Sequence, residues 1–331
     1  MSARARLNAV WFGCALLFGA LLGCAPRAEQ GTVTVSFVGD ILLDSAPGQN
    51  IARGQDPFAP TQALFRGVDL SIGNLECPVA TGGAAVNKVY TFRAAPSTLP
   101  TLRQHFHAVS IANNHSGDYG PDAFRETLQQ LQATQIPYFG GGNDATAAHE
   151  PLLLSKRGLK IALLGYDDYH PRSFEASATQ PGVAWAEPEQ ILLDIAAARR
   201  AGAHVILPFL HWGWENERAP SAHQRELARL LIDAGADAVI GSHPHVTQGA
   251  EMYHGKPILY SLGNFVFDLL DFPENHQGWV VRLELDRSGV VRFSTAAVLI
   301  DDQGTPAPDP SVETLCGQRG DAAPTPCAQR P

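Results

Sequence analysis

The sequence predicts a single layered α/β domain built around a largely parallel sheet. Three observations carry that expectation. Apolar strand-like runs alternate with amphipathic helical stretches up to about residue 245, the pattern of parallel strands joined by crossover helices. Polar and titratable residues gather just past the carboxyl ends of those strands, where such sheets place their sites. From Glu251 onward strand-like runs follow one another across tight turns, so an antiparallel section closes the domain.

The elements follow in order. "TVTVSFVGD" reads as a buried strand delivering Asp40 at its end, and "VDLSIGNLE" as a second ending at Glu76. "HAVSIANNH" repeats the pattern to His115, and the next stretch, "YGPDAFRETLQQLQ", places Pro121 well for a first helical turn. "LKIALLGYDD", "AHVILPFLHWGWE" and "ADAVIGSHPH" are further strands, with helices expected over 188–201 and 221–234. "YHGKPILYSLGNFVFD" and "GWVVRLELDRSGVVRFSTAAVLI" turn at "HGK" and "RSG". Residues 303–331, rich in Pro, Ala and Gly, are expected to be loose apart from a possible disulfide. No internal repeat or linker divides the core.

A chain of 331 residues with 45% hydrophobic content can bury a large core. The formal charge of −9, with no long basic run, argues against nucleic acid as a partner. An acidic substrate would also be repelled unless bound cations reversed the field locally. The opening "MSARARLNAVWFGCALLFGALLGC" has a basic start (Arg4, Arg6) and an apolar stretch from about Val10 to Leu22, short for a membrane span and right for a secretory signal. Its end, "LLGC", resembles the bacterial lipobox. The expectation is therefore a signal peptide over 1–23, lipidation at Cys24, a tether over 24–31, and an extracytoplasmic protein anchored to the bacterial cell envelope. A plain signal peptide or an uncleaved anchor is the alternative. Processing would leave Cys77, Cys316 and Cys327. An oxidising compartment permits disulfides. Cys316 and Cys327, close together in the tail, are the expected pair, with Cys77 a free thiol.

His243 and His245 flank Pro244 in "GSHPH". Proline fixes its own φ and disfavours the helical region for the residue before it. The segment therefore reads as extended, with both imidazoles on one side about 6–7 Å apart. That suits one ligand to each of two metals roughly 3.5–4 Å apart; two solvated histidines in a polar loop are the alternative. Asp40, Glu76, Asn114 with His115, and His211 also stand at predicted strand ends. Each alone has a structural explanation: Asp40 as a helix cap, Glu76 as a surface charge, His211 as a core histidine. Together on one rim they point to a shared cation, and oxygen ligands mixed with imidazoles suit Mn, Fe or Zn.

These residues carry a family resemblance. "GD" at Gly39–Asp40, "GNLE" at Gly73–Glu76, "ANNH" at Ala112–His115, "HWGWE" at His211–Glu215, "GSHPH" at Gly241–His245 and "YSLGNF" at Tyr260–Phe265 resemble the poly-γ-glutamate capsule biosynthesis (CapA-type) family. That family belongs to the calcineurin-like metallophosphoesterase superfamily. The likeness runs from about Thr32 to Asp268 and implies a layered α/β sandwich of metallophosphoesterase type over 32–302, with mixed sheets and helices on the outer faces. It implies a first metal held by Asp40, Glu76 and His245, and a second by Glu76, Asn114, His211 and His243, with Glu76 bridging. His115 would give a proton or hydrogen bond to the reacting group. Lys88 and Arg93, in "NKVYTFRA", would grip an anionic ligand if that segment is a bent loop. Glu215 and Asn264 would orient ligands from behind. Trp212 and Trp214 either wall the pocket or pack in the core, and Asp44 is either an extra ligand or a turn former.

One departure stands out. The superfamily usually carries D-x-H in its first motif, and the third place here is Leu42. The implied activity is that of a metal-dependent hydrolase with one or two divalent ions, acting on a phosphoester or an amide such as a γ-glutamyl bond. The missing histidine favours the alternative, a tethered accessory of a polymer synthesis or export complex that binds anionic polymer without cutting it.

Overall fold

The computed structural model describes residues 31–327. The expected signal segment 1–23, Cys24, the tether through Gln30 and the last four residues lie outside the described residues. In place of one largely parallel sheet, the chain builds two mixed sheets laid face to face, with helices against their outer faces.

The first sheet begins with β1 (Val33–Ile41), β2 (Leu70–Leu75), β3 (Ala108–Ser110) and β4 (Tyr138–Phe139), all parallel and adjacent in that order. Between them lie α1 (Ser45–Ala52), α2 (Leu99–His105) and α3 (Gly120–Ala133). Pro121 stands at the start of α3, as its fixed φ suits. A two-residue strand, β5 (Gly141–Gly142), and α4 (Ala145–His149) lead to the second sheet. There β6 (Leu152–Lys156) and β7 (Leu159–Asp167) form an antiparallel hairpin, and β8 (Gly182–Val183) pairs back with β5. Then β9 (Val205–His211) and β10 (Val239–Ser242) lie parallel beside β7, joined through α5 (Pro188–Arg200) and α6 (Ala222–Asp233). Ser221 and Gln224 close the start of α6 as a capping box. The hairpin of β11 (Ala250–Tyr253) and β12 (Lys256–Leu259) completes that sheet.

The chain returns to the first sheet through β13 (Asn264–Val266), parallel to β1, and the hairpin of β14 (Gln277–Asp286) and β15 (Gly289–Ile300). The expectation of a loose tail does not hold here. The open edge of β15 takes β16 (Pro306–Pro308) and β17 (Leu315–Gln318), and β18 (Thr325–Pro326) pairs with β17. Unpaired edge N–H and C=O groups are a ready template for such strands. Cys316 and Cys327 form the expected disulfide, and Cys77 is free and buried.

Strand alternation separates three apolar layers. Along β7, Leu159, Ile161 and Leu163 face the other sheet, while Ala162, Leu164 and Tyr166 face α5 and α6. Those helices bury Ile191, Ile195, Leu227 and Leu231 there, each worth about 1.5–3 kcal/mol. The remaining layer packs α2 and α3 on the first sheet through Leu99, Leu102, Phe124 and Leu131.

One irregularity in β1 positions the site. Val33, Val35 and Phe37 face inward, but Val38 and Ile41, three apart, both point to the outer layer. A regular strand would send those two to opposite faces; register shifts between Phe37 and Ile41 absorb the extra residue as a bulge does. Asp40 thereby turns to the inward side. Gly39 lets β13 approach: a Cβ there would lie 1.8 Å from the Gly263 carbonyl oxygen. Gly39→Ala is therefore expected to destabilise the protein by about 1–3 kcal/mol through overpacking. A lowered thermal midpoint beside an unchanged Gly31→Ala control, where a Cβ meets nothing, checks it.

Candidate metal centre

The ends of five strands deliver one cluster. Asp40 comes from β1 and Glu76 from just past β2. Asn114 and His115 follow β3, His211 closes β9, and His243 and His245 follow β10. In β9 the alternation that turns Val205, Leu207 and Phe209 inward also turns His211 inward. The histidine pair is not extended as expected: His243 has φ 98° and His245 φ 56°. Left-handed backbone at non-glycine residues costs on the order of 1–3 kcal/mol each and persists where surroundings enforce it. Here the His243 N–H donates to Asp40 Oδ2 at 3.3 Å, and the Pro244 carbonyl accepts from Asn216 N–H at 2.8 Å. The imidazoles still converge, with ring centres 5.8 Å apart.

The contacts gather these residues into one cluster, in which Glu76, His243 and His245 form one triad with donor atoms within 4.8 Å of one another and Asp40, Glu76 and His211 another, a grouping that cuts across the two sets the resemblance implies. Asp40 Oδ2 lies 3.3 Å from His245 Nδ1, and His245 Nε2 lies 3.8 Å from Glu76 Oε1. On the other side His211 Nε2 lies 2.8 Å from Asn114 Oδ1, 3.1 Å from His243 Nδ1 and 3.4 Å from Glu76 Oε1. Donors about 2.1 Å from one cation stand roughly 3.0–3.4 Å from each other in octahedral or tetrahedral geometry. The spacings around His211 are of that size. Both Glu76 oxygens and His243 Nε2 are buried without a hydrogen-bond partner among the described residues. Buried polar atoms are seldom left so, and a divalent cation is the partner this donor set fits.

Electrostatics agree. Burial pushes the Glu76 carboxyl well above its usual range, and the Asp40 carboxylate adds to it. Asp40 is raised by burial, but the His245 hydrogen bond and charge, with His211 and Asn74, hold it below the ordinary value. Burial pushes His211 down to about 3 despite Asp40, and takes His243 far below its usual value with help from neighbouring imidazoles. Neutral imidazoles at His211 and His243 offer lone pairs to a metal, and two adjacent buried carboxylates call for positive charge. His245 goes the other way, burial lowering its pKa but the Asp40 hydrogen bond and charge holding it above the ordinary value.

The surrounding residues divide more sharply than sequence reasoning allowed. Asn264 Oδ1 accepts from His245 Nδ1 at 2.8 Å, fitting the orienting role expected of it. Glu215 is exposed and makes no hydrogen bond to the ligand set; it acts on Glu76 and His245 by charge. Leu42 is buried in the outer apolar layer. Asp44 caps α1 and accepts the Arg93 N–H at 2.8 Å, so the turn reading holds. Trp212 is core, its Nε1 donating to the Tyr260 carbonyl at 2.8 Å, whereas Trp214 is exposed. The 82–93 segment is the bent loop that the anion-gripping expectation required. Its Lys88 Nζ is already bonded to Asp118 Oδ1 and the Asn114 carbonyl, and Arg93 bonds the Gly82 carbonyl over the Tyr119 ring.

Three residues escaped the sequence reading. Asn74 Nδ2 donates to Asp40 Oδ1 at 2.9 Å and lies 3.2 Å from His211 Nδ1. Asn113 bonds Asn74 and the Leu75 carbonyl, tying β2 to the His115 turn. Asp118 Oδ2 accepts from His115 Nδ1 at 2.7 Å. Asn74 lies inside "GNLE" and Asn113 inside "ANNH", and Asp118 three residues past the latter, so motif membership or proximity was the available signal.

Comparison with known proteins follows from this arrangement. The chain is 33% identical over 293 residues to the Bacillus subtilis PGA biosynthesis protein CapA, covering 85% of this chain and 74% of that one. It is 29% identical over 297 residues to the Bacillus anthracis capsule biosynthesis protein CapA, covering 85% and 70%. A Mycobacterium tuberculosis protein named "Probable polyglutamine synthesis accessory protein" is 32% identical over 215 residues, covering 60% and 56%. Among solved structures, the Haemophilus influenzae NAD nucleotidase overlaps with a TM-score of 0.46 at 13% identity, covering 84% of this chain and 53% of its own, too partial an overlap to bear on function. The profile of the bacterial capsule synthesis protein PGA_cap matches residues 34–269, and the chain belongs to that family.

Proposed function

We propose that the protein is a lipid-anchored, extracytoplasmic, metal-dependent hydrolase linked to capsule or poly-γ-glutamate metabolism. It would cleave a phosphoester or a γ-glutamyl amide. The observation that carries this reading is the pair of partnerless Glu76 oxygens beside the partnerless His243 Nε2, buried among Asp40, Asn114, His211 and His245. The anchor reading is supported by the basic and apolar opening with its "LLGC" end. The Cys316–Cys327 disulfide fits an oxidising compartment.

Asp40, Glu76 and His245 would hold one cation, and Glu76, Asn114, His211 and His243 a second. A bound divalent ion supplies Lewis-acid polarisation of a carbonyl or phosphoryl oxygen and makes water acidic enough to attack at neutral pH. His115 stands beside that cluster, its Nε2 4.0 Å from Glu76 Oε1. Asp118 accepts a hydrogen bond from Nδ1–H and fixes the ring, so Nε2 would be the atom presented to substrate. Burial holds the His115 imidazole below its ordinary pKa although Asp118 opposes it. It therefore rests neutral, ready to take a proton at Nε2 and return it to the leaving group.

The second reading, a tethered polymer-binding accessory without turnover, draws on Leu42 and on the accessory naming of the mycobacterial relative. The two part experimentally. Protein lacking residues 1–24 is expected to retain Mn, Zn or Fe through dialysis and to hydrolyse a generic phosphomonoester or phosphodiester, or to shorten poly-γ-glutamate over time. Elemental analysis with a hydrolase screen checks this. Metal-free protein defeats the hydrolase reading; polymer binding with no turnover under any divalent metal selects the accessory.

Asp40→Asn and His243→Ala are expected to weaken metal retention at least 10- to 100-fold and abolish turnover while circular dichroism stays unchanged. Asp118→Asn is expected to keep the metal but lower kcat by about 10- to 100-fold through a misdirected His115, read from steady-state kinetics with metal content matched.

A further inference from the structure

Lys88 is the residue whose surroundings differ most from the role the family resemblance suggests. Residues 82–93 run without regular structure between β2 and α2 and close over the turn that carries Asn114 and His115. The Val86 N–H donates to the Asp118 carbonyl at 2.8 Å, and the Phe92 N–H to Asp118 Oδ2 at 2.9 Å. The Phe92 ring packs 4.4 Å from the His115 imidazole, centre to centre. Between these contacts the Lys88 ammonium reaches inward, donating to Asp118 Oδ1 at 2.7 Å and to the Asn114 carbonyl at 2.9 Å.

Asp118 is fully buried, and Lys88 is its one lysine or arginine partner among the described residues. Its other side-chain partner is His115, through Nδ1 at 2.7 Å. A buried carboxylate stripped of its cation is unfavourable and turns toward whatever can solvate it. Two of the three ammonium donors are already engaged inward, leaving little with which to hold a substrate anion.

We propose that Lys88 is a positioning residue and not a substrate clamp. Its ammonium fixes the Asp118 carboxylate and the Asn114 main chain together, and through them sets the direction of the His115 ring and the Asn114 side chain. The proposal rests on reading Asn114 and His115 as working groups, and on no particular substrate or metal.

The test uses the full chain in detergent micelles with ring-labelled ¹⁵N-histidine. Lys88→Met keeps the side-chain length and removes the charge, Lys88→Gln is a second charge-free variant, and Lys88→Arg restores the charge. In the wild-type protein the His115 ring is expected in the single tautomer protonated at Nδ1. Lys88→Met is expected to show a mixture of tautomers. Amide protection over residues 114–118 should fall about tenfold or more, the factor that losing a charge-assisted hydrogen bond gives. Lys88→Arg is expected to recover most of both signals, and poly-γ-glutamate binding to stay near the wild-type level throughout. An unchanged tautomer and unchanged protection in both charge-free variants overturn the proposal, whatever happens to anion binding. Neither signal requires a bound cation or turnover, so failure of the hydrolase reading and failure of this one are seen separately.

Discussion

Two carboxylates, Asp40 and Glu76, are buried side by side where the two sheets meet, and much of the surrounding architecture follows from that. Burying an ionised carboxylate is expensive unless it is paired and hydrogen-bonded. Asp40 has such help from Asn74, the His243 N–H and His245. Glu76 has none: no hydrogen bond reaches either oxygen. The bulge in β1, the Gly39–Gly263 approach and the left-handed histidines around Pro244 all bring donors toward the place where Glu76 looks for positive charge. Local strain of that kind is retained at working sites and is seldom found where packing alone is at stake.

That Asp40, Glu76, Asn114, His211, His243 and His245 would gather in one place was legible in the sequence because each lies at the end of an apolar run, and strand ends of an open α/β sheet share a rim. Their geometry was not. Counting by twos along β1 from Phe37 sends Asp40 to the outer face, and only the bulge reverses this. Likewise, the rule that proline extends the residue before it excludes the right-handed helix but leaves the left-handed region open, and His243 takes that option to reach Asp40. The division into two mixed sheets is the one the resemblance implied, but the residue pattern alone hid it because β7, β9 and β10 read identically whether they continue the first sheet or begin another. Proline content made the tail look loose, whereas its pairing depends on the free edge of β15, a partner far away in the chain. Asn74, Asn113 and Asp118 were passed over for the same reason: an amide or carboxylate acquires meaning only from what it touches.

The two ligand sets that the resemblance implies are unequal, and the inequality has a structural origin. After the bulge ends at Ile41, the next residue points into the outer apolar layer and its N–H is bonded to the Val266 carbonyl at 2.7 Å. The position that would carry the usual histidine is thus committed to packing by Leu42. The resemblance would then leave Asp40, Glu76 and His245 as a three-residue set beside a four-residue one of Glu76, Asn114, His211 and His243, while by proximity alone Glu76 is shared between a triad with His243 and His245 and a triad with Asp40 and His211. Fewer protein ligands mean weaker holding, yet also more open positions for water and substrate, which is how catalytic sites differ from closed structural ones. The lost histidine therefore argues for uneven occupancy more than for loss of chemistry.

What weighs against a purely binding role is the arrangement behind the ligands. A protein that only holds an anionic polymer needs cations on its surface, and this chain is acidic, with a formal charge of −9. The two cations expected to grip an anion are turned to internal acceptors: Lys88 to Asp118 and Asn114, Arg93 to Gly82. Meanwhile His115 is buried, packed against Phe92 and hydrogen-bonded through Nδ1 to a carboxylate that nothing in a binding surface would require. Under the proposed hydrolase reading, an imidazole oriented in this way, with Nε2 4.0 Å from Glu76 Oε1, would exchange a proton with a group held at the cluster. The proposed proton exchange gives this His115–Asp118 arrangement a role, which a passive polymer holder does not.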